Sequence, residues 1–262
     1  MRRGTGVLSG VLVMTAIIAV WQWRVTVHPV FFLPAPSAIW DRLRTDWLSG
    51  PAGHLFVSET AWSAIGQTFR TALAGWVIAS CAGIVAGAVI GALPAARDYT
   101  GAPLLLLRST PPIVVVPLSI AVLGVGTAMH LTVVVFGCVW PVLLNAAAGV
   151  AEIEPLQVDV ARLNHLGPAK RFFRVLLPAA APKMFAGLRV AMSLAIVLSV
   201  GSEMFAGAGG LGGAALQAQN TFDVSALWAT LTVLAFFGVL FNALFLLIEK
   251  HALRWHVLRR TQ

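Results

Sequence analysis

Charged residues are scarce in this chain of 262 residues. Only 11% of the residues are charged, whereas 58% are hydrophobic. An ordinary soluble domain contains about 25% charged residues. Too few charges are therefore present to cover the surface of a soluble domain of this length, and the composition predicts an integral membrane protein.

Cysteine is also scarce, and one nucleotide-binding motif is missing. Cys81 and Cys138 stand singly inside apolar runs, which favours two small packing residues over a disulfide or a metal site. No glycine is followed directly by lysine, so the motif G-x-x-x-x-G-K-[ST] is absent. We therefore expect this chain to hydrolyse no ATP through such a loop. It also carries no pattern for a cofactor or metal of its own.

Long apolar runs are what the sequence has in abundance. A membrane-spanning helix needs about 20 mainly apolar residues, and runs of this length favour helices over a β-barrel. Six runs qualify, near 7–27, 66–92, 103–123, 128–149, 182–205 and 225–248. We predict an all-α protein with one transmembrane domain over 1–262. This domain includes an outer amphipathic linker at 28–65 and a basic cytoplasmic tail at 249–262.

The first run could instead be a secretory signal, because two arginines precede it. No small-residue cleavage site follows Ala19, and Trp21, Trp23 and Arg24 come next. Tryptophan beside arginine is typical of a membrane interface. We therefore predict that this run is retained as the first span.

One basic, amphipathic segment separates the fourth and fifth runs. This basic island, residues 152–183, divides at Gly167-Pro168, where a helix-ending residue meets a helix-starting one. In its first half Leu156, Val160 and Leu163 share one helical face, and in its second half a stripe of apolar residues opposes a basic side until Pro178. Two short helices are predicted, which suits docking on another protein. A basic surface helix lying on anionic lipid is the alternative.

The net charge of +8 could indicate a nucleic-acid partner, but its distribution indicates membrane topology instead. With six spans and an inside N-terminus, both termini and the island lie on the cytoplasmic side, and residues 28–60 and 207–223 lie outside. Thirteen basic residues then lie inside: Arg2, Arg3, Arg97, Arg162, Lys170, Arg171, Arg174, Lys183, Arg189, Lys250, Arg254, Arg259 and Arg260.

The island resembles a cytoplasmic loop of binding-protein-dependent ABC importer permeases. That loop begins with Glu-Ala-Ala, continues with a glycine and ends in a hydrophobic-Leu-Pro sequence. Asp159-Val160-Ala161 stands at the first place and Leu176-Leu177-Pro178 at the last. His165 occupies the place of the family glycine, and Gly167 follows two positions later.

Other segments resemble the same family in the same order, over about residues 30–258. They are Pro34–Trp40, Leu107–Pro112 with Val116–Leu118, Gly201–Met204 with Gly207–Gly212, and Ala252–His256. The chain is most similar to the nitrate, aliphatic-sulfonate and taurine branch. This branch also includes carriers of other small polar or heteroaromatic compounds.

The resemblance implies a type I importer permease fold in a bacterial inner membrane. It further implies a second permease subunit in a homodimer, two separate ATPase subunits that bind ATP and Mg²⁺, and an extracytoplasmic solute-binding protein. The island would couple the permease to the ATPases. The residues expected to make this contact are Asp159, Val160, Ala161, Arg162, Leu163, His165, Leu166 and Gly167.

Several residues inside the predicted spans call for a specific role. Polar groups at membrane depth are costly unless they face the bundle interior or water, which makes Arg108, Asn145 and Glu203 candidates for a translocation path. Arg108 and Glu203 lie in segments that resemble the family, so a structural or gating role is the alternative for these two. Three glycines spaced by four, from Gly83 to Gly91, predict close helix packing within the chain or between subunits. His130 and the other histidines show no ligand spacing and are predicted to be interfacial or loop residues.

Further alternatives concern the region after the fifth span and the protein class. The G-x-G-x-x-G pattern at Gly207, Gly209 and Gly212 follows a span rather than a strand, and predicts a flexible outer loop. An ion-coupled secondary transporter would show inverted repeats and interrupted helices carrying paired acidic groups. No clear repeat is present, and Glu203 is the only evident mid-span carboxylate. A membrane enzyme or scaffold would need a catalytic constellation or docking motif, and no catalytic one stands out.

Overall fold

The computed structural model describes residues 2–51, 57–207 and 209–254; within these, the side chains of residues 2–8, 155, 158, 162, 168 and 169 are left out. Almost all described residues are helical, with one isolated bridge between Val30 and Leu33. The helices are α1 (Arg2–Val27), α2 (Pro36–Arg42), α3 (Glu59–Ala92), α4 (Pro94–Ser109), α5 (Val115–Leu123), α6 (Thr127–Ala151), α7 (Pro155–Leu163), α8 (Pro168–Arg171), α9 (Leu177–Ala206), α10 (Gly210–Asn220) and α11 (Val224–Ala252).

Within the described residues, five helical segments are long and apolar enough to cross a membrane. They are Ser9–Val27, Glu59–Ala92, Thr127–Ala151, Phe172–Ala206 and Val224–Ala252. A sixth crossing is formed if α4 and the segment Pro112–Leu123 count as one span. The predicted all-α membrane protein with about six spans is therefore confirmed.

The third predicted span, 103–123, is not one helix. Its two halves meet at an angle of 73°, with the break at Thr110 and Pro111. Pro111 and Pro112 supply no backbone N–H, and a proline disfavours the helical conformation of the residue before it. Two adjacent prolines thus end α4 inside an otherwise apolar run, which its hydropathy alone did not predict.

The centre of the bundle is the contact of α3 with α6. A Cβ atom on Gly83 would lie 2.9 Å from Val142 Cβ, one on Gly87 2.8 Å from Ala146 Cβ, and one on Gly91 2.9 Å from Val150 Cβ. Each pair is 59 residues apart, so the helices run in the same direction in constant register. The glycine repeat therefore packs within the chain, which confirms the first of the two predicted alternatives.

Helix α9 packs against both α6 and α3 and completes this core, with the indole of Trp76 donating to the carbonyl of Leu188 at 3.0 Å. Cys138 of α6 is buried and its thiol contacts the carbonyl of Ala191 at 3.2 Å, as expected of a packing residue, whereas Cys81 is exposed. Aromatic side chains join α11 to α3, with Phe69 stacked on Phe241 at 4.5 Å between ring centroids.

At the end of the bundle opposite the island, α2 and its flanking residues bind to the start of α11. The indole of Trp228 donates a hydrogen bond to the carbonyl of Phe32 at 3.2 Å, and Arg42 forms an ion pair with Asp223. We call this contact the linker clamp. It covers part of the linker predicted at 28–65, of which residues 52–56 lie outside the described residues.

Candidate functional site

The basic island begins as predicted, with two helices separated by a turn. Helix α7 ends at Leu163 and α8 begins at Pro168. In the turn His165 has φ = 50°, in the left-handed region that favours glycine. The position of the family glycine is thus a position that requires a left-handed residue, and this chain fills it with histidine.

Helix α7 presents an apolar face that this chain leaves uncovered. Leu156 is 70% exposed and Leu163 is 78% exposed, with Val160 between them at 49%. These residues are spaced by four and three positions, so they lie on one side of the helix. A row of exposed aliphatic side chains on a helix outside the long spans is a surface suited to a protein partner.

Ala161 differs from its neighbours on α7. It is only 3% exposed, so in this conformation it packs inside the chain instead of lying on the uncovered face. Successive helical residues point about 100° apart, and Ala161 follows Val160 directly. Among the other predicted contacts, Asp159, Gly167 and His165 are exposed, Leu166 is half-buried, and the side chain of Arg162 lies outside the described residues.

The second half of the island does not end at Pro178, as the apolar stripe predicted. Helix α8 passes through a π-helical turn, Phe172–Leu176, directly into α9. Pro178 lies in the first turn of α9, where a missing N–H is tolerated. The island is therefore joined rigidly to the long span α9, and Lys183 of α9 pairs with Glu152 at its start.

Glu203 is fully buried and bonded within the chain. The hydroxyl of Thr68 lies 2.8–2.9 Å from both its carboxylate oxygens, and the N–H of Gly212 donates to Oε2 at 2.9 Å. The N–H of Leu211 in turn donates to Thr68 Oγ1 at 2.8 Å. This carboxylate tie joins α3, α9 and α10.

The glycine-rich segment is consequently not the flexible loop that was predicted. Gly207, Gly209 and Gly210 adopt positive φ, and α10 starts at once. A Cβ on Gly212 would approach Glu203 Cβ to 2.7 Å, so glycine is needed for α10 to lie against α9. The start of α10 therefore binds the chain's own carboxylate, in a position where nucleotide-binding folds hold a phosphate.

Asn145 and Arg108 occupy different surroundings. Asn145 is half-buried, donates to the Pro141 carbonyl at 2.8 Å, and lies where α6 meets Gly187 of α9. Arg108 is exposed and lines a cavity of about 420 Å³ between α4 and α6. Neither Asn145 nor Glu203 is among the described residues that line this cavity. The structure does not bring the three candidates together.

Sequence reasoning missed Thr68 and misplaced His130. His130 is 3% exposed, and its Nδ1 lies 2.9 Å from the hydroxyl of Ser202. It is therefore a buried link between α6 and α9 and not an interfacial residue. The sequence did contain a signal for this burial. Val133 and Val134 lie three and four positions after His130, so the three side chains share one face of α6, which is the buried face.

Among the described residues outside the spans, shifted pKa values occur only in the linker clamp, at Arg42 and Asp223. The N–H of Ala226 and, after it, the guanidinium of Arg42 bond to the carboxylate of Asp223 and lower its pKa. The same pairing raises the pKa of Arg42. Asp223 is the N-cap of α11, accepting from the Ala226 N–H at 3.0 Å, so one carboxylate caps a span and secures the linker.

The fold defines a membrane protein of several helical spans with one short helix, α7, exposed outside them. Residues 79–254 match the model of the family described as the binding-protein-dependent transport system inner membrane component, and the chain belongs to that family. Its resemblance to the loop and span motifs of this family is thereby confirmed.

Relatives identify the branch. The chain is 26% identical to the putative aliphatic sulfonates transport permease protein of Bacillus subtilis (strain 168), covering 97% of this chain and 90% of that protein. It is 24% identical to the taurine transport system permease protein of Escherichia coli (strain K12), with coverage of 93% and 88%. It is 31% identical to a nitrate import permease protein of Leptolyngbya laminosa, with coverage of 70% and 65%. The predicted nitrate, sulfonate and taurine branch is confirmed.

The fold has a counterpart among solved structures. A chain of the methionine ABC transporter MetNI in an inward-facing conformation superposes with a TM-score of 0.60 at 19% identity. The match covers 74% of this chain and 94% of that chain. At this identity the likeness concerns the fold, and it confirms the predicted type I importer permease architecture.

Proposed function

We propose that this chain is the membrane-spanning subunit of an ATP-driven importer for a small polar or anionic solute. Two copies would enclose the translocation path in a bacterial inner membrane, with lipid around them and both termini in the cytoplasm. The names of the relatives, which refer to sulfonate, taurine and nitrate transport, support this solute class.

The uncovered face of α7 carries the proposal. We infer that two separate ATPase subunits, which bind ATP and Mg²⁺, receive Leu156, Val160 and Leu163 in a surface cleft. Because α8 continues into α9, a displacement of the island would reach the span without being absorbed by a loose loop. An external binding protein would deliver the solute at the opposite end.

We further infer that Arg108 contacts the solute path, since it lines a cavity. Asn145 and Glu203 would act on the path indirectly, by fixing α6 against α9 and α10 against α3. This assignment rests on the burial and hydrogen bonds of the two residues.

Purification of the affinity-tagged chain from its native membrane tests the function. We expect an ATPase subunit to co-purify, and solute uptake to depend on ATP in reconstituted vesicles. Uptake that survives ATP depletion but stops when an ion gradient is collapsed would contradict the proposal and favour a secondary transporter.

A further inference from the structure

The cavity between α4 and α6 is a groove with two guanidinium groups and apolar walls. Arg97, Thr100 and Arg108 supply its polar side, and the rest is mainly leucine, isoleucine and alanine from α3, α4 and α6. Among the described residues that line it, none is acidic. Its volume of about 420 Å³ holds roughly a dozen waters, so a small ion can enter with part of its hydration shell.

The two arginines lie on one face of α4. They are 11 residues apart, which is close to three helical turns and about 16 Å along the axis. Arg97 is held by a hydrogen bond to the carbonyl of Gly91 at 2.9 Å. Arg108 forms no ion pair with any carboxylate in the described ranges. The groove is thus basic along its whole length.

In the predicted topology Arg108 lies within the third span. It stands 14 residues after Pro94, where α4 starts, which is a rise of about 21 Å and less than the hydrocarbon thickness of about 30 Å. One residue later α4 ends at the 73° break. A charge within a span is costly unless water, a counter-ion or the negative end of a helix dipole accompanies it, and Arg108 has both the open groove and the last turn of α4 beside it.

We propose that this groove is an anion-selective step of the path, in which Arg108 balances the charge of the passing solute and Arg97 attracts it at the island end. The inference rests on the proposed function and names the contact residues. The apolar walls suit an anion with a short hydrocarbon body, while an inorganic or organic cation would be repelled by both guanidiniums.

Charged thiol reagents test the groove without knowledge of the solute. Leu144, which lines the groove, is replaced by cysteine in a chain carrying Cys81→Ala and Cys138→Ala. The assembled complex in nanodiscs is treated with sulfonatoethyl or trimethylammonioethyl methanethiosulfonate. The rate at which each reagent modifies the cysteine is divided by its rate with a small free thiol, which corrects for the different intrinsic reactivities of the two reagents.

We expect the anionic reagent to react faster than the cationic one after this correction. One charge lining the same wet cavity as the cysteine changes each rate by about threefold to tenfold in opposite directions. Arg108→Gln should reduce the preference, with the remainder due to Arg97, Arg108→Lys should retain it, and Arg44→Gln, which removes a distant exposed charge, should leave it unchanged.

Two results would overturn the inference. A rate ratio that is the same with Arg108→Gln would show that Arg108 does not act on the groove. Absence of reaction with either reagent would show that the groove is closed to water. ATP-driven uptake is measured on the same wild-type complex, so a failure of the proposed function would appear as lost uptake, independently of the labelling ratio.

Discussion

At the scale of single residues, Glu203 shows how a buried carboxylate can be structural. Replacing it with Gln leaves one oxygen to accept hydrogen bonds where two accepted them, and places an N–H₂ group beside the donors of Thr68 and Gly212. A buried donor without an acceptor costs about 1–3 kcal/mol. We expect Glu203→Gln to lower the midpoint of thermal unfolding in detergent.

Two variants complete this prediction. Glu154→Gln, at an exposed position, should unfold like the wild type. Thr68→Val should destabilise as much as Glu203→Gln, because it removes the donor to the carboxylate and the acceptor for Leu211. Normal stability of both Glu203→Gln and Thr68→Val would contradict the structural role of the carboxylate tie.

His165 is a second residue whose backbone conformation matters. A side chain in the left-handed region costs roughly 1 kcal/mol relative to glycine, and a β-branched residue costs more. We predict that His165→Gly slows, and His165→Val speeds, hydrogen exchange of the Leu166 amide, which bonds to the carbonyl of Ala161 at 3.2 Å. Each change should be about fivefold by mass spectrometry. The same exchange rate in all three proteins would refute a strained turn.

At the scale of helices, α7 is predicted to bind the ATPase through its exposed face. Leu163→Glu puts an unpaired charge into that contact, which costs several kcal/mol when buried. The permease should insert normally, since α7 is not one of the long spans, yet lose its ATPase on purification and stop transporting. Gln157→Glu adds the same charge at an exposed position about 100° from Leu156 and should retain both.

If Leu163→Glu retained the ATPase and supported uptake at the wild-type rate, the docking face would be assigned wrongly. The alternative of an island lying on anionic lipid would then be favoured. The outcome is measured by co-purification and by uptake in reconstituted vesicles.

Helix α11 depends on Asp223 in a way that depends on pH. Its folded-state pKa lies below the ordinary value of 3.8, so the carboxylate stabilises the fold above that pH and the effect is lost as the pH falls through the lowered pKa. We predict that the protection factors of the amides in the first turn of α11, which compare each exchange rate with the intrinsic rate at the same pH, fall below about pH 4. Asp223→Asn keeps a capping oxygen without titrating and should remove this acid step.

The Arg42 partner should matter less. Arg42 and Asp223 are 40% and 32% exposed, and ion pairs at such positions contribute little. Arg42→Gln is therefore expected to reduce the acid step without removing it. A step that vanishes completely with Arg42→Gln would show that the ion pair, and not the N-cap, stabilises the start of α11.

Much of the helix plan was predictable, because hydrophobic runs fix where the chain can cross a membrane. The run at 128–149 became α6, Thr127–Ala151, within two residues at either end. What the sequence did not reveal depended on partners distant in the chain. The bond of Glu203 to Thr68 spans 135 residues and that of His130 to Ser202 spans 72, and no local pattern specifies them.

The candidate site was predictable in part for the same reason. Helical spacing identified Leu156, Val160 and Leu163, whose exposure the structure shows. Ala161 was included because it belongs to a linear motif, although a helix turns it away from that face. Pro178 was assigned as a stop, although a proline in the first helical turn permits continuation.

At the scale of the whole molecule, the asymmetry of basic residues predicts the orientation. Lys170→Cys should react with an impermeant thiol reagent only in opened cells, because the asymmetry predicts a cytoplasmic island. Ser63→Cys, at the opposite end of the bundle and exposed, should react in intact cells. Labelling of residue 170 from outside would reverse the topology.

The purified chain alone should hydrolyse no ATP. It lacks the glycine-lysine step of the phosphate-binding loop, so activity should appear only when the ATPase subunit is added back. The measurement is phosphate release by the isolated polypeptide. Sustained hydrolysis after removal of every co-purifying protein would contradict this expectation.

The contact of α3 with α6 has a consequence for how this sequence can change over time. Gly83, Gly87 and Gly91 each face the α6 residue that lies 59 positions later in the chain. A mutation that enlarges one residue of such a pair therefore creates a clash with the other. Drift at position 83 is therefore tied to position 142. Gly83→Ala should be tolerated in a lineage that already carries Val142→Gly, which removes the facing Cβ, and rejected where it does not.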